Sequence, residues 1–121
     1  MNLFDSSALL CFLRGEEGAD VVERELLVGG ACSAANWSEV AQKVAQREHD
    51  WHPARALLLS YELTVEPVVI ADAEAAARLW QRGSGLSLGD RLCLATAQRL
   101  GAVVWTADTA WGTADAVRQV R

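Results

Sequence analysis

The 121-residue sequence predicts an α/β fold, a three-layer α/β/α sandwich built on a parallel sheet of four to five strands. Three observations lead there. Short apolar runs of strand length alternate with stretches of helical periodicity along the whole chain. Glycines and small polar residues punctuate the boundaries between them. Such alternation calls for parallel pairing through right-handed crossovers, which lay helices on both faces of the sheet.

The elements follow in order. Residues 1–4 form a first apolar strand that ends at Asp5-Ser6-Ser7. Helical spacing occupies 8–27, with a break expected near Gly15 and Gly18. Gly29-Gly30 closes that segment, and the small apolar residues 31–35 suit a second, buried strand. Asn36 opens the next helix, with Trp37, Val40, Ala41 and Val44 at helical spacing. A further helix starts after His52-Pro53 and runs through Leu57-Leu58-Leu59. Residues 63–68 read as a third strand, 71–81 as a helix and 83–85 as a loop. The helix at 87–100 is closed by Gly101, a residue suited to the left-handed position past a helix end. Residues 102–105 form the fourth strand, and 117–120 a fifth.

Length leaves room for one domain, 1–121. A hydrophobic fraction of 51% and a charged fraction of 22% are globular values that exclude disordered and fibrous classes. Cys11, Cys32 and Cys93 are odd in number and form no C-x-x-C, and neither His49 nor His52 has a cysteine nearby, so a zinc site has no support. Free cysteines among apolar neighbours behave as small buried hydrophobes. The apolar run at 8–13 is too short to span a membrane and lacks the basic flank of a signal peptide, so the expected location is cytoplasmic. Net charge is −5, from 16 acidic and 11 basic residues. Setting aside Asp5, Glu39, Asp90 and Asp108 leaves 12 acids against those 11 bases, so the remaining surface is close to neutral.

Those four acids are the candidate site. In open parallel sheets ligands bind beyond the carboxyl ends of the strands. Asp5 follows the first strand, Glu39 lies a helical turn past the second, and Asp108 follows the fourth. Asp90 opens the helix leading into the fourth strand, so this rule places it less directly. Each acid also has a purely local explanation. Asn36 with Glu39, and Ser87 with Asp90, have capping-box spacing, while Asp5 and Asp108 can cap the turns that follow them. Acids converging on one sheet edge would repel one another and raise their pKa values, a conflict that hard divalent cations such as Mg²⁺ or Mn²⁺ relieve.

The same residues carry a resemblance. Leu3-Phe4-Asp5-Ser6-Ser7-Ala8-Leu9-Leu10 resembles the opening motif of PIN-domain nucleases. Ser33-Ala34-Ala35-Asn36-Trp37-Ser38-Glu39-Val40 is similar to their second motif, and Leu86-Ser87-Leu88-Gly89-Asp90-Arg91-Leu92-Cys93-Leu94-Ala95 to their third. Val103-Val104-Trp105-Thr106-Ala107-Asp108 resembles the fourth, with Trp105 where an aliphatic residue is usual and a short segment after Asp108. Four motifs in order over nearly the whole chain make the likeness specific, and within the family it is nearest to the VapC-type toxins. The resemblance implies metal-dependent endoribonuclease activity, hydrolysing RNA to 5′-phosphate and 3′-hydroxyl ends with Mg²⁺ or Mn²⁺ as cofactor. It implies that Asp5, Glu39 and Asp90 are the core catalytic and metal-binding residues, with Asp108 the more dispensable fourth. Ser6 and Thr106 would hydrogen-bond the carboxylates or their waters. Arg91 and Lys43 border the site as possible RNA contacts, with Arg14, Arg78 and Arg82 further off, and Trp37 could stack on a base. A small antitoxin protein and a homodimer are the implied partners, and no membrane is.

Other readings fit less well. A receiver-type phosphotransfer domain needs an early acid pair and a late lysine, but position 6 is serine and Lys43 is the sole lysine. Haloacid-dehalogenase chemistry needs Asp-x-Asp, and position 7 is serine. A housekeeping RNA-processing nuclease and a non-catalytic scaffold binding RNA or protein are the alternatives, the second opposed by intact acids at all four motif positions.

Overall fold

The computed structural model describes all residues, 1–121. Five parallel strands form one sheet: β1 (Asn2–Phe4), β2 (Ala31–Ser33), β3 (Thr64–Glu66), β4 (Val103–Thr106) and β5 (Val117–Gln119). Their order is β3-β2-β1-β4-β5, with β1 in the middle. The helices are α1 (Ser6–Arg14), α2 (Ala19–Val28), α3 (Ala34–Gln46), α4 (Trp51–Ser60), α5 (Ile70–Arg78) and α6 (Leu88–Leu100). Between β4 and β5 lies only a 3₁₀ turn, Thr109–Trp111. The fold is the predicted sandwich, and all five strands are present.

Alternation along the strands builds two cores. Leu3 and Ala31 face one side with Cys93, Ala97, Ala102 and Val104, against α6. Phe4 and Cys32 face the other with Leu9, Val22, Leu26, Val40 and Leu58, against α1–α4. Truncating Phe4, wholly buried in the larger core, would cost about 3–5 kcal/mol.

Several boundaries differ from the sequence reading. The helical stretch from residue 8 is split by residues 15–18 into α1 and α2, as expected, but α1 starts at Ser6 because Asp5 caps it. Ala34-Ala35 belong to α3 rather than to β2. The N-cap of α3 is Ser33, whose hydroxyl accepts from the Ala35 N–H, so the capping box proposed for Asn36 and Glu39 does not form. Asn36 is instead the third residue of the helix and completely buried. α4 likewise starts earlier, at Trp51, with Asp50 accepting from the His52 N–H. The capping box of Ser87 and Asp90 does form, and Gly101 ends α6 at φ 64°. A glycine takes that left-handed conformation without the Cβ clash other residues meet.

Chain direction reverses about β1: connections run outward to β2 and β3, then return to β4 on its other side. That reversal is a topological switch point, where the carboxyl ends of β1 and β4 open a crevice. Asp5 follows β1 there, its N–H donating to the Trp105 carbonyl at 3.1 Å.

Candidate active site

Asp5 is the centre of the arrangement and is only 2% exposed. Its Oδ1 accepts from the Ala8 N–H at 2.8 Å and from Ser7 Oγ at 2.7 Å, and its Oδ2 from Thr106 Oγ1 at 2.5 Å. Thr106 in turn accepts from the Asp108 N–H, and Ser7 Oγ from the Ala107 N–H. Every donor to Asp5 is neutral, and no basic side chain pairs with it. Burial therefore wins: it pushes the carboxyl up to about 6, against the lowering effect of Thr106, Ala8 and Ser7, with the charge of Asp90 adding to the rise.

Glu39 stands on the second turn of α3, half-buried, with Asn36 Nδ2 donating to its Oε1 at 2.6 Å. The same Nδ2 lies 3.5 Å from the Gly89 carbonyl, which ties α3 to the first turn of α6. Gly89 faces the carboxylate closely: a Cβ there would stand 2.7 Å from Glu39 Oε1 and 2.8 Å from Oε2. Asp90, the next residue, accepts from the Ser87 N–H at 3.0 Å through one oxygen. Cap and candidate ligand are thus the same side chain.

Two buried thiols report how these acids converge. Burial raises Cys93, and then Asp5, Cys32, Asp90 and Glu39 raise it further. Burial also raises Cys32, followed by Asp5 and Glu39. Asp5 follows β1, Glu39 sits on α3 against Gly89 and Asp90 is the next residue on α6, and none of the three has a salt-bridge partner. Asp108 is not among them. It is exposed, and its Oδ1 accepts from the Ala110 N–H to cap the 3₁₀ turn.

The other sequence candidates divide. Thr106 hydrogen-bonds Asp5, but the serine that does so is Ser7 and not Ser6, because the cap geometry of Asp5 brings the second residue of α1 back to the carboxylate. Arg91 does not stand free at the site: its guanidinium donates to the Ala76 carbonyl of α5 at 2.9 Å. Lys43 is exposed and borders, with Arg14 and Arg47, a cleft between α1, α3 and α4. Trp37 packs edge-on against Trp51 with ring centroids 5.2 Å apart, and both pack against the larger core. Sequence reasoning missed Asn36, Ser7 and Gly89. Only the Asn36-to-Glu39 spacing, one helical turn, hinted at their contact.

The donor chemistry suits a hard divalent cation, since oxygen ligands without a cation of their own are what Mg²⁺ and Mn²⁺ take. No three side chains lie close enough together to ligate one ion directly. Mg²⁺ commonly keeps several waters and takes one or two carboxylates, so the arrangement fits an ion held partly through water.

Comparison with known proteins agrees with the geometry. The PIN domain model matches residues 3–117, and the chain belongs to the PIN domain family. A solved structure described as a toxin-antitoxin complex from Klebsiella pneumoniae has a similar fold, with a TM-score of 0.77 and 22% identity over 100% of this chain and 98% of that one. No curated protein sequence gives a significant match. No helix is long and apolar enough to cross a membrane.

Proposed function

We propose that this chain is a metal-dependent endoribonuclease and the toxin of a toxin–antitoxin pair acting in the cytoplasm. The observation that carries the nuclease reading is the buried Asp5, with no basic partner, at the switch point of a PIN fold, with Glu39 packed against Gly89 and Asp90 the next residue along. Mg²⁺ or Mn²⁺ held by these three would supply Lewis acidity toward a phosphate oxygen and lower the pKa of an attacking water. Ser7 and Thr106 fix the orientation of Asp5, Asn36 fixes Glu39, and the Ser87 N–H fixes Asp90. Asp108, exposed after β4, would be the more dispensable fourth acid. The toxin reading draws on the Klebsiella pneumoniae neighbour, and it implies a small antitoxin protein and a homodimer.

The test is hydrolysis of end-labelled RNA across a Mg²⁺ and Mn²⁺ titration, comparing wild type with Asp90→Asn and Glu39→Gln. Cleavage that needs metal, leaves 5′-phosphate ends and disappears in both folded variants is expected. Cleavage that persists in chelator, or unchanged in both variants, refutes the mechanism. Growth arrest on induction, relieved by co-expressing the product of an adjacent short reading frame, distinguishes a toxin from a housekeeping nuclease.

A further inference from the structure

Glu39 is held by two residues outside the proposed ligand set, Asn36 and Gly89. We infer that Asn36 and Gly89 are positioning residues for the Glu39 carboxylate, one as its hook and the other as the hollow it rests in. The inference rests on the metal-site reading above.

Asn36 is completely buried, and its Oδ1 has no hydrogen-bond partner. A buried amide oxygen left unpaired costs stability, so Asn36 is a poor choice for packing alone. Its Nδ2, by contrast, makes a short bond to Glu39 Oε1 and reaches the Gly89 carbonyl. Glycine in the first turn of α6 is also a poor helix former. Its φ is ordinary for any residue, so backbone conformation does not require it. The demand is spatial: a methyl group at 89 would meet the Glu39 carboxylate at 2.7–2.9 Å. Those atoms are the free end of a flexible side chain. An alanine there would therefore displace Glu39 rather than the helix.

Both features thus trade stability for the placement of one carboxylate, and this separates positioning from a structural role. Replacing a packing residue lowers thermal stability and metal affinity together. Here the two should move apart. The readout is Mn²⁺ affinity of the purified apoprotein by electron paramagnetic resonance, with Tm measured on the same samples. Gly89→Ala and Asn36→Leu are each expected to weaken Mn²⁺ binding by about 10- to 100-fold, with Tm unchanged or raised. In a Glu39→Ala background neither substitution should weaken binding further, because both act through that side chain. A crystal structure of Gly89→Ala is expected to show the Glu39 carboxylate moved off α6.

Wild-type protein that binds no Mn²⁺ overturns the metal reading itself. Wild-type binding that both variants retain in full overturns the positioning role and leaves the metal reading standing. Additive losses in the Glu39→Ala background also overturn it, since the two residues would then act on the ion by another route.

Discussion

Two aspartates in this molecule are almost completely buried, Asp5 at the carboxyl edge of the sheet and Asp72 between α5 and α6. Burial alone would raise both. Asp72 is nevertheless lowered, because Arg99 donates to both its oxygens, Nε at 2.8 Å and Nη2 at 3.1 Å, with the Val69 N–H and Thr96 hydroxyl adding to the effect. Asp5 is raised to about 6 because its donors are neutral hydroxyls and an amide, which do not offset the loss of water. A buried carboxylate with its cation present is a clasp between two helices. One whose donors are all neutral has the unpaired charge that the proposed metal site requires. Burial by itself distinguishes nothing.

Asp5→Asn puts the largest strain on this contrast. Metal-dependent RNA hydrolysis should fall on the order of 10³-fold, since several kcal/mol of charge stabilisation depends on the ligand set. Tm at neutral pH should stay level or rise, because an uncompensated buried charge has been removed. A variant that is inactive only because it unfolds would make Asp5 structural, like Asp72.

The pH dependence follows from the same shifts. In metal-free protein Asp5 keeps its proton up to about 6, whereas the ordinary value is 3.8. Between those values the folded state binds more protons than the unfolded chain. Ionising Asp5 therefore removes on the order of 3 kcal/mol of stability as pH rises through that window. Asp72, being lowered, behaves oppositely: its contribution is present above the ordinary aspartate value and is lost as pH falls below it. Thermal melts from acid to neutral pH should show the gap between Asp5→Asn and wild type widening with pH, and Mn²⁺ closing it. A constant gap would show that Asp5 titrates normally.

Asp72→Ala should cost about 1–3 kcal/mol in denaturant unfolding, with RNA cleavage per folded molecule unchanged. The smaller end of the range for broken buried pairs applies because the Arg99 side chain is 32% exposed. Ser87→Ala gives the smallest effect, about 1 kcal/mol from a lost N-cap. It probes Asp90, which is both cap partner and site acid. Mn²⁺ affinity that falls much further than stability would show that the cap orients Asp90 for binding.

How much of this was legible in the sequence depended on how local its cause was. The Ser87–Asp90 cap and Gly101 are interactions within a few residues, and both stand where the sequence put them. Asp5 was marked by its place after an apolar run, which becomes the central strand's end once the sheet order is known. Position 34 was misread because Ala34-Ala35 suits a buried strand or a helix equally, and Ser33 decided it by capping. Ser6 and Ser7 are indistinguishable in the motif, and only the turn geometry selects Ser7. Arg99 and Asp72 lie 27 residues apart, so nothing local announced their pairing, and the anchoring of Arg91 to Ala76 was hidden for the same reason.

The central position of β1 also bears on motion. Strands at the edges of a sheet open first, and β3 and β5 can detach without disturbing a hydrogen bond of β1. The amide of Asp5 is bonded to β4 across the middle of the sheet, so freeing it requires separating the two halves. Amide exchange at Asp5 should therefore track global unfolding, while that at Val65 and Arg118 proceeds by local fraying. The acid at the centre of the candidate site is fixed to the most durable part of the molecule.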